Sequence, residues 1–302
     1  MFDVKVVKYD GSVVWASTEP GLLWACRGGG GGFGVIVEVV LRVFKYPQDI
    51  WAGSILVPRS ELPRVADSIV QFLSNPVDPK VTMMMYVVKK KLLESFRVDT
   101  DMVVIHAFDA CGEEHGRACF KWALDIPGAI DKTMITNLLG VSALQGKVHT
   151  IKGTLKQYWA PMLLHEISKE MILNAVNWNE EIQRTNSSVG DNTYLIFELL
   201  CSCDPVGAPI SSCAWPRPAG AQHILLLGPG CPFNAGEETE NFARDVAIKA
   251  PSKIVGDTQD VHVIPNLVED FHDLKEIWGA HFDRLQGLRR VYDPRNKLKG
   301  AI

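Results

Sequence analysis

The residues with the clearest capacity for chemistry form a glycine loop near the amino terminus. Its members are Gly28, Gly29, Gly30, Gly31, Gly32, Phe33 and Gly34. Consecutive glycines free the backbone to adopt positive φ and remove every Cβ that would hold a ligand at a distance. Backbone N–H groups of such a loop can bind a phosphate or a flat cofactor ring. The alternative is a flexible linker, although linkers of this kind usually contain serine as well.

A β-branched segment, residues 35–43, follows the loop directly and has the composition of a buried strand. The loop lacks the Gly-Lys-Ser/Thr ending of a P-loop. It also runs into a strand, whereas a dinucleotide-binding fingerprint opens a helix. The sequence therefore predicts a cofactor loop that differs from both of these nucleotide-binding patterns.

A second motif lies near the carboxyl terminus. Residues 278–296 read Trp-Gly-Ala-His-Phe-Asp-Arg-Leu-Gln-Gly-Leu-Arg-Arg-Val-Tyr-Asp-Pro-Arg-Asn. Together with residues 24–37 they resemble the FAD-linked oxidases of the vanillyl-alcohol-oxidase superfamily, which carry a PCMH-type FAD-binding domain, and specifically the berberine-bridge-enzyme-like branch. That branch typically has Trp-Ala-Leu-Arg-Gly-Gly-Gly-Gly-x-Phe-Gly-Val-Val-Thr, and later Tyr-Tyr-Gly-x-Asn-x-x-Arg-Leu, a helix and Lys-Tyr-Asp-Pro-x-Asn.

The resemblance implies FAD as the cofactor, bound by the residues of the glycine loop together with Val35 and Asn266. In the family the glycine motif lies near the end of the FAD-binding domain, so we expect the amino-terminal part of that domain to be absent here. The implied division is residues 1–47 for the carboxyl-terminal part of the FAD-binding domain and residues 48–256 for a substrate-binding α+β domain. Residues 257–302 would form a berberine-bridge-like segment that returns to the FAD domain.

The middle of the chain alternates strand and helix patterns. The predicted strands are residues 51–57, 81–88, 102–108, 194–200 and 222–227, and the predicted helices are residues 61–73, 113–123, 163–184 and 237–250. Ser60 is the expected N-cap of the first of these helices. This alternation predicts an α+β fold in which the antiparallel sheet of the substrate domain is covered by helices.

Three residues are candidates for a role in catalysis or at the flavin. Asn266 matches the Asn of a Tyr-x-Asn-Tyr-like family motif, whose tyrosines are replaced here by Ile264 and Leu267. His281 stands where the family typically has Asn, which by resemblance places an imidazole near the flavin. Glu198 alternates with apolar residues on a predicted strand, and an inward-facing carboxyl with a raised pKa would be a candidate base. The alternative for Glu198 is an outward-facing side chain.

Composition and charge exclude several classes of function. The 302 residues carry a net charge of −4 without a dense basic patch, so we expect no nucleic-acid partner. No apolar stretch reaches membrane-spanning length. The amino terminus shows no signal-peptide pattern, which predicts a cytoplasmic protein, whereas a signal peptide encoded upstream would make it secreted. The seven cysteines are scattered and the histidines are widely spaced, so we expect free thiols and no metal site.

Three hypotheses for function follow from these patterns. The first is an FAD-dependent oxidoreductase of secondary metabolism, which oxidises an alcohol or amine or closes a ring, with O2 as electron acceptor and a small molecule as substrate. The second is a flavin-free binding module or cofactor-free cyclase. The third is an inactive remnant with an unpaired sheet edge. Retention of FAD by the purified chain separates the first hypothesis from the other two.

Overall fold

The computed structural model of the chain describes residues 1–89, 98, 100–144, 153–201, 212–256, 261–300 and 302. Its described residues form two compact units. The first unit contains residues 1–45, 212–219 and those from 262 onward, and the second contains residues 46–201, 220–256 and 261. From the sequence, residues 212–219 are expected to belong to the middle domain. They pack in the first unit, where the Ala214 N–H donates to the Arg27 carbonyl at 2.7 Å.

Strands and helices are numbered separately in chain order. The strands are β1 (Asp3–Val7), β2 (Val13–Trp15), β3 (Val35–Val40), β4 (Ile50–Pro58), β5 (Val81–Val88), β6 (Met102–Asp109), β7 (Ile130–Thr136), β8 (Leu155–Gln157), β9 (Ala160–Leu164), β10 (Tyr194–Leu200), β11 (His223–Gly228) and β12 (Gly230–Pro232). The helices are α1 (Leu22–Cys26), α2 (Leu62–Leu73), α3 (Glu113–Cys119), α4 (Lys121–Leu124), α5 (Leu138–Ala143), α6 (Lys169–Thr185), α7 (Ser187–Gly190), α8 (Glu237–Ile254), α9 (Leu274–Trp278) and α10 (Phe282–Tyr292).

The first unit is built on a three-stranded antiparallel sheet of order β2-β1-β3. Val4 and Val6 alternate with more exposed residues on β1, and both are fully buried. They join a hydrophobic core to which α1 contributes Trp24, α9 contributes Trp278 and α10 contributes Leu285. The two motifs found at opposite ends of the sequence therefore share one core.

The second unit is built on a seven-stranded sheet of order β7-β4-β6-β5-β10-β11-β9, and every described pairing in it is antiparallel. One face is buried over most of its area, as Phe197 and Leu199 on β10 and Trp51 on β4 illustrate, whereas Ile135 on the edge strand β7 is exposed on it. Trp51 packs there against Phe120, which follows α3. The mixed α+β architecture predicted from the alternating patterns is confirmed. The other face of this sheet is more open.

β3 corrects one expectation from the sequence. Its β-branched composition predicted a buried strand, but all six of its residues are exposed. The reason is its position, since β3 lies at the edge of a three-stranded sheet and nothing among the described residues covers either of its faces. Composition alone identifies the strand but not whether other elements pack on it.

Two helix predictions are also corrected at their beginnings. Glu61, not Ser60, is the N-cap of α2, because a 3₁₀ turn over Arg59–Glu61 precedes the helix. The predicted helix of residues 163–184 begins only after Ser168, whose Oγ accepts a hydrogen bond from the Met171 N–H at 3.1 Å. Leu163 and Leu164 belong instead to β9, since they pair with β11.

Several helices and strands were missed or wrongly bounded by the sequence patterns. The predicted helix of residues 113–123 is divided into α3 and α4 at the buried Phe120. The strands β7, β8, β9 and β12 were not predicted, and three of these four contain five residues or fewer. Short strands acquire their conformation from the partner they pair with rather than from a long period-2 pattern.

A buried histidine makes the stability of the fold dependent on pH. His223 on β11 is 3% exposed, and its Nδ1 has no hydrogen-bond partner. Burial lowers the pKa of His223 from 6.5 to about 4. The unfolded chain therefore binds a proton that the folded chain excludes, so stability is lost as the pH falls through this interval.

Because of His223, the free energy of unfolding of the wild type should be lower near pH 4 than near neutral pH by about 3 kcal/mol. We expect the His223→Leu variant to lack this decrease. Urea denaturation at several pH values between about 6.5 and 4 measures this difference, with the exposed His165→Leu as the matched control. The same pH dependence in the wild type and in His223→Leu would contradict the assignment.

Candidate functional site

The glycine loop lies between α1 and β3 and is packed against other segments of the first unit. The Trp278 Nε1–H donates to the Gly28 carbonyl at 2.8 Å. A Cβ at Gly28 would contact Trp215, and a Cβ at Gly31 would lie 2.9 Å from the Lys299 carbonyl. The loop therefore needs glycine for its own packing as well as for any approach of a ligand.

Arg289 makes the closest approach to the loop. Gly32 has φ +104, and a Cβ there would overlap the Arg289 guanidinium. Arg289 Nη2–H donates to Asn296 Oδ1 at 2.9 Å and to the Leu298 carbonyl, and it forms an ion pair with Asp293 at 3.1 Å. The guanidinium is thus held from one side by the carboxyl-terminal segment and lies against Gly32 on another.

Asp293 is the counter-charge of this arrangement. Its carboxylate is buried, and it accepts hydrogen bonds from the backbone N–H groups of Lys297 and Leu298, both at 2.8 Å. Burial opposes ionisation, but these two hydrogen bonds and the charge of Arg289 hold the pKa of Asp293 below its usual range. The turn after α10 therefore carries an ionised carboxylate into the interior.

The buried polar atoms without partners around the loop share one chemical property. Among the described residues of the first unit, they are Trp24 Nε1, Arg27 Nε, Arg289 Nε and Arg289 Nη1. All four are N–H donors, and a buried donor without an acceptor is costly. Arg27 immediately precedes the glycines, Trp24 lies one helical turn before them, and Arg289 lies against Gly32. The buried groups that lack partners in this region therefore require hydrogen-bond acceptors.

The other residues proposed to bind the cofactor differ in exposure. Gly30, Gly31 and Asn266 are exposed, with Asn266 on the short 3₁₀ helix Pro265–Leu267. Phe33 is 2% exposed and belongs to the hydrophobic core. Val35 begins the exposed strand β3 and pairs with Val7.

His281 is fixed in the same unit by two contacts. Its Nδ1–H donates to the Ala214 carbonyl at 2.9 Å, and its ring meets the Trp24 ring edge-on with centroids 5.3 Å apart. The Arg284 guanidinium lies 3.9 Å from the Trp24 ring centroid. The residue that replaces the family's typical Asn therefore contacts Trp24 of the amino-terminal motif.

Glu198 lies on the more open face of the seven-stranded sheet. The pairings place it opposite Met84, place Met84 opposite His106, and place His106 opposite Ser54. Opposed residues share a face of the sheet, so Glu198 and His106 belong to one row that crosses it. The Tyr86 hydroxyl, on the same face, shares a hydrogen bond of 2.9 Å with His106 Nε2.

Burial shifts the pKa values of the titratable side chains in this row. Burial raises the pKa of the Glu198 carboxyl, lowers the pKa of His106, and raises the pKa of Tyr86 to about 12. Each shift favours the uncharged form. This face thus offers a carboxyl group with a raised pKa in an apolar setting, which is a condition that general acid–base chemistry uses.

His106 and Tyr86 were not singled out from the sequence. Strand alternation placed each of them on one face of its own strand, but only the register between strands shows that they share a face with Glu198. Arg289 was present in the quoted closing motif, and its spacing of four residues from Asp293 was the signal for an ion pair on one face of a helix.

A surface groove lies elsewhere in the second unit, between α6 and α8. It is lined by Trp178, Ile182, Phe242 and Val246 with lysines at its edge. None of the residues predicted from the sequence to act in catalysis or cofactor binding lines it. We therefore identify the candidate site from the chemistry of its side chains and not from the position of this groove.

We expect Gly32→Ala to destabilise the chain by roughly 2 kcal/mol or more, because the methyl group would displace the Arg289 guanidinium and the backbone is left-handed. Gly11→Ala is the matched control, since Gly11 has φ +85 but open space around it, so only the backbone term of about 1 kcal/mol applies. Urea denaturation of both variants measures the difference, and equal losses would show that Gly32 is not packed as described.

No protein-family model matches the chain. A curated protein, FAD-linked oxidoreductase aurO of Gibberella zeae, is 42% identical over 80 residues, which are 26% of this chain and 15% of that protein. The local match is well above the identity found with the solved structures. It extends over only a small share of the relative.

Solved structures match over almost the whole chain. A xylooligosaccharide oxidase from Myceliophthora thermophila C1 in complex with xylobiose has a TM-score of 0.69 at 14% identity, over 97% of this chain and 63% of that one. A berberine bridge enzyme variant in complex with (S)-reticuline has a TM-score of 0.69 at 13% identity, over 98% of this chain and 63% of that one. The chain thus has the fold of FAD-linked oxidases of the vanillyl-alcohol-oxidase superfamily, which include the berberine-bridge-enzyme-like branch that its terminal motifs resemble, over slightly less than two thirds of their length.

Proposed function

We propose that this chain belongs to an FAD-dependent oxidoreductase and contributes to holding the cofactor through its glycine loop. The observation that carries the proposal is the set of buried, unpartnered N–H donors on Trp24, Arg27 and Arg289 around that loop. FAD is rich in acceptors, with phosphate oxygens and flavin carbonyls, and would satisfy such donors. The residues present therefore fit the cofactor in chemical type.

Each part of the loop region has a distinct role in this proposal. Arg289 would donate from Nε and Nη1 while Nη2 remains held by Asn296 and Leu298. The exposed Gly30 and Gly31 would let a flat ring or a phosphate approach the backbone. Asn266 and His281 are the remaining polar groups of this unit that the resemblance assigns to the flavin. When bound, FAD would accept two electrons from a C–H bond of the substrate and pass them to O2.

The open sheet face of the second unit supplies the second half of the proposal. Substrate oxidation at an alcohol or amine releases a proton, and Glu198 is the proposed acceptor. Half-burial of its side chain raises its pKa toward the range in which such a base works. His106 and Tyr86 would present a neutral imidazole and a phenol on the same face and so orient a substrate hydroxyl or amine by hydrogen bonding.

Two observations support the proposed substrate class, one from this sheet face and one from the relatives. Apolar side chains surround the polar row, among them Met84 and Ile224, which suits a small organic molecule with few polar groups. The relatives are solved with xylobiose and with (S)-reticuline, which are both small molecules. We propose a small-molecule substrate of secondary metabolism, oxidised or cyclised in the cytoplasm.

No helix among the described residues is long and apolar enough to cross a membrane.

We expect the purified chain, incubated with FAD and freed of unbound cofactor, to retain flavin absorption bands, and Arg289→Lys to retain far less. A lysine cannot reproduce the fork of donors that points at the loop. Arg290→Lys is the matched control, because Arg290 is the next residue on α10 and is exposed. Circular dichroism of both variants confirms that the fold is kept.

A colourless wild-type chain would contradict the proposal that this chain itself holds flavin. It would leave the flavin-free binding module as the hypothesis to examine. Equal retention of flavin by the wild type and Arg289→Lys would keep the family function but remove Arg289 from the cofactor site.

A second prediction concerns Glu198. We expect Glu198→Gln to lower kcat/KM about a hundredfold or more and to abolish the acidic limb of the pH profile, since the base must be ionised and is ionised only above its raised pKa. Oxidation of a substrate identified by screening alcohols, amines and oligosaccharides provides the measurement. Glu166→Gln, at an exposed glutamate of the same unit, should leave both quantities unchanged. An unaltered pH profile in Glu198→Gln would exclude it as the base.

A further inference from the structure

A cluster of metal-binding side chain types lies at the junction of β6 and α3, on the helix-covered side of the second unit. Asp109 is the last residue of β6, and its side chain is fully buried. Gly112 has φ +107 and turns the chain, so that Cys111 and the helical residue His115 return beside Asp109. Glu198, on the opposite face of the sheet, is not part of this group.

The side chains converge within metal-binding distances. One ligand atom each from Asp109, Cys111 and His115 lies within 4.8 Å of the other two. The His115 Nδ1–H donates to Asp109 Oδ2 at 2.6 Å, and the Cys111 N–H donates to Asp109 Oδ1 at 2.7 Å. One helical turn after His115, the Cys119 Sγ lies 3.6 Å from His115 Nδ1.

Three of these side chains already lie within 4.8 Å of one another, and Cys119, which contacts only His115 among them, would complete a tetrahedral set after rotation of its side chain. Zinc takes nitrogen, sulfur and oxygen ligands at about 2.0–2.3 Å, which sets neighbouring ligand atoms roughly 3.5 Å apart. The separation of Cys119 Sγ and His115 Nδ1 already has this value. The hydrogen bond between His115 and Asp109 would open by about an ångström as the ion takes the place of the shared proton.

Charge and access also favour a cation. Asp78 lies close enough to influence both thiols, so the carboxylates of Asp109 and Asp78 act on the cluster, whereas Lys80 acts on Cys111 with the opposite charge. Cys111 is exposed, and 42% of the His115 side chain is accessible, which leaves an entry path, while the Asp109 carboxylate closes the inner side. Both thiols are free.

We propose that Asp109, Cys111, His115 and Cys119 bind a divalent cation of the zinc class. The mixed set of two thiolates, one imidazole and one carboxylate suits a borderline-soft ion and is poor for magnesium or calcium, which take oxygen ligands. The ion joins the end of β6 to the first helix after it and so fastens the turn between them. This site is independent of flavin binding, because it lies in the second unit on the helix side of the sheet.

The sequence carries a signal for this site that differs from the usual spacing of zinc-ligand pairs. The spacing is Asp-x-Cys-x₃-His-x₃-Cys, in which the last two residues fall on one face of a helix. Only the fold shows that the preceding aspartate is brought to the same place. The expectation of no metal site rested on spacing alone.

Titration of the metal-free, reduced full chain with Co²⁺ tests the proposal. We expect one equivalent to give a sulfur-to-cobalt charge-transfer band and visible bands of tetrahedral cobalt, and Zn²⁺ to displace it. Cys111→Ser/Cys119→Ser should lose the charge-transfer band, and His115→Gln should weaken binding at least about tenfold. Cys213→Ser and His165→Gln, which alter a thiol in the first unit and an exposed histidine in the second, should bind as the wild type does.

Two results would overturn the proposal. One is the absence of a charge-transfer band in the wild type, and the other is an equal band in Cys111→Ser/Cys119→Ser. Should the double variant fold poorly, His115→Gln decides the matter, because its side chain is accessible and its loss leaves no cavity in the core. Zn²⁺ should raise the Tm of the wild type and of His165→Gln but not that of His115→Gln.

Discussion

The close contact between the Arg289 guanidinium and Gly32 is the constraint on which the first unit depends. Arg289 occupies the space that a side chain at residue 32 would need. From this position it holds Asn296 and the Leu298 carbonyl, and it neutralises the buried Asp293. Because the contact joins the glycine loop to α10 and to the segment after it, the two motifs at the ends of the sequence are parts of one packed structure.

The same contact explains why the loop region favours an acceptor-rich ligand. Arg289 brings more donors into the interior than its protein partners use, since Nε and Nη1 remain without acceptors. A buried guanidinium with a single carboxylate partner is balanced in charge but not in hydrogen bonds. Glycines beside such a group leave room at Gly30 and Gly31, where the loop is exposed.

The two sheets differ in how their faces are covered. In the seven-stranded sheet, helices bury most of one face, and the other keeps a half-buried row in which burial favours the uncharged forms of Glu198, His106 and Tyr86. In the three-stranded sheet, β3 exposes its apolar residues on both faces. The solved structures with the same fold are longer, since the chain spans about 63% of each of the two compared.

The sequence by itself determined the local structure and the two motifs. The strands 81–88 and 194–200 and the helix beginning near residue 62 follow from periodicity, and the glycine run and closing helix identified the fold through resemblance. These features depend on neighbours within a few residues, so a linear pattern contains them.

Tertiary structure decided burial, register and the convergence of distant groups. Only strand pairing placed Glu198 in a row with His106, turned Leu163 and Leu164 into a strand, and left β3 exposed. Only packing across more than 250 residues of chain set Arg289 against Gly32. Contacts of this kind depend on the free energy of the whole fold and not on local propensity, which is why the residues of both sites could be named from the sequence only in part.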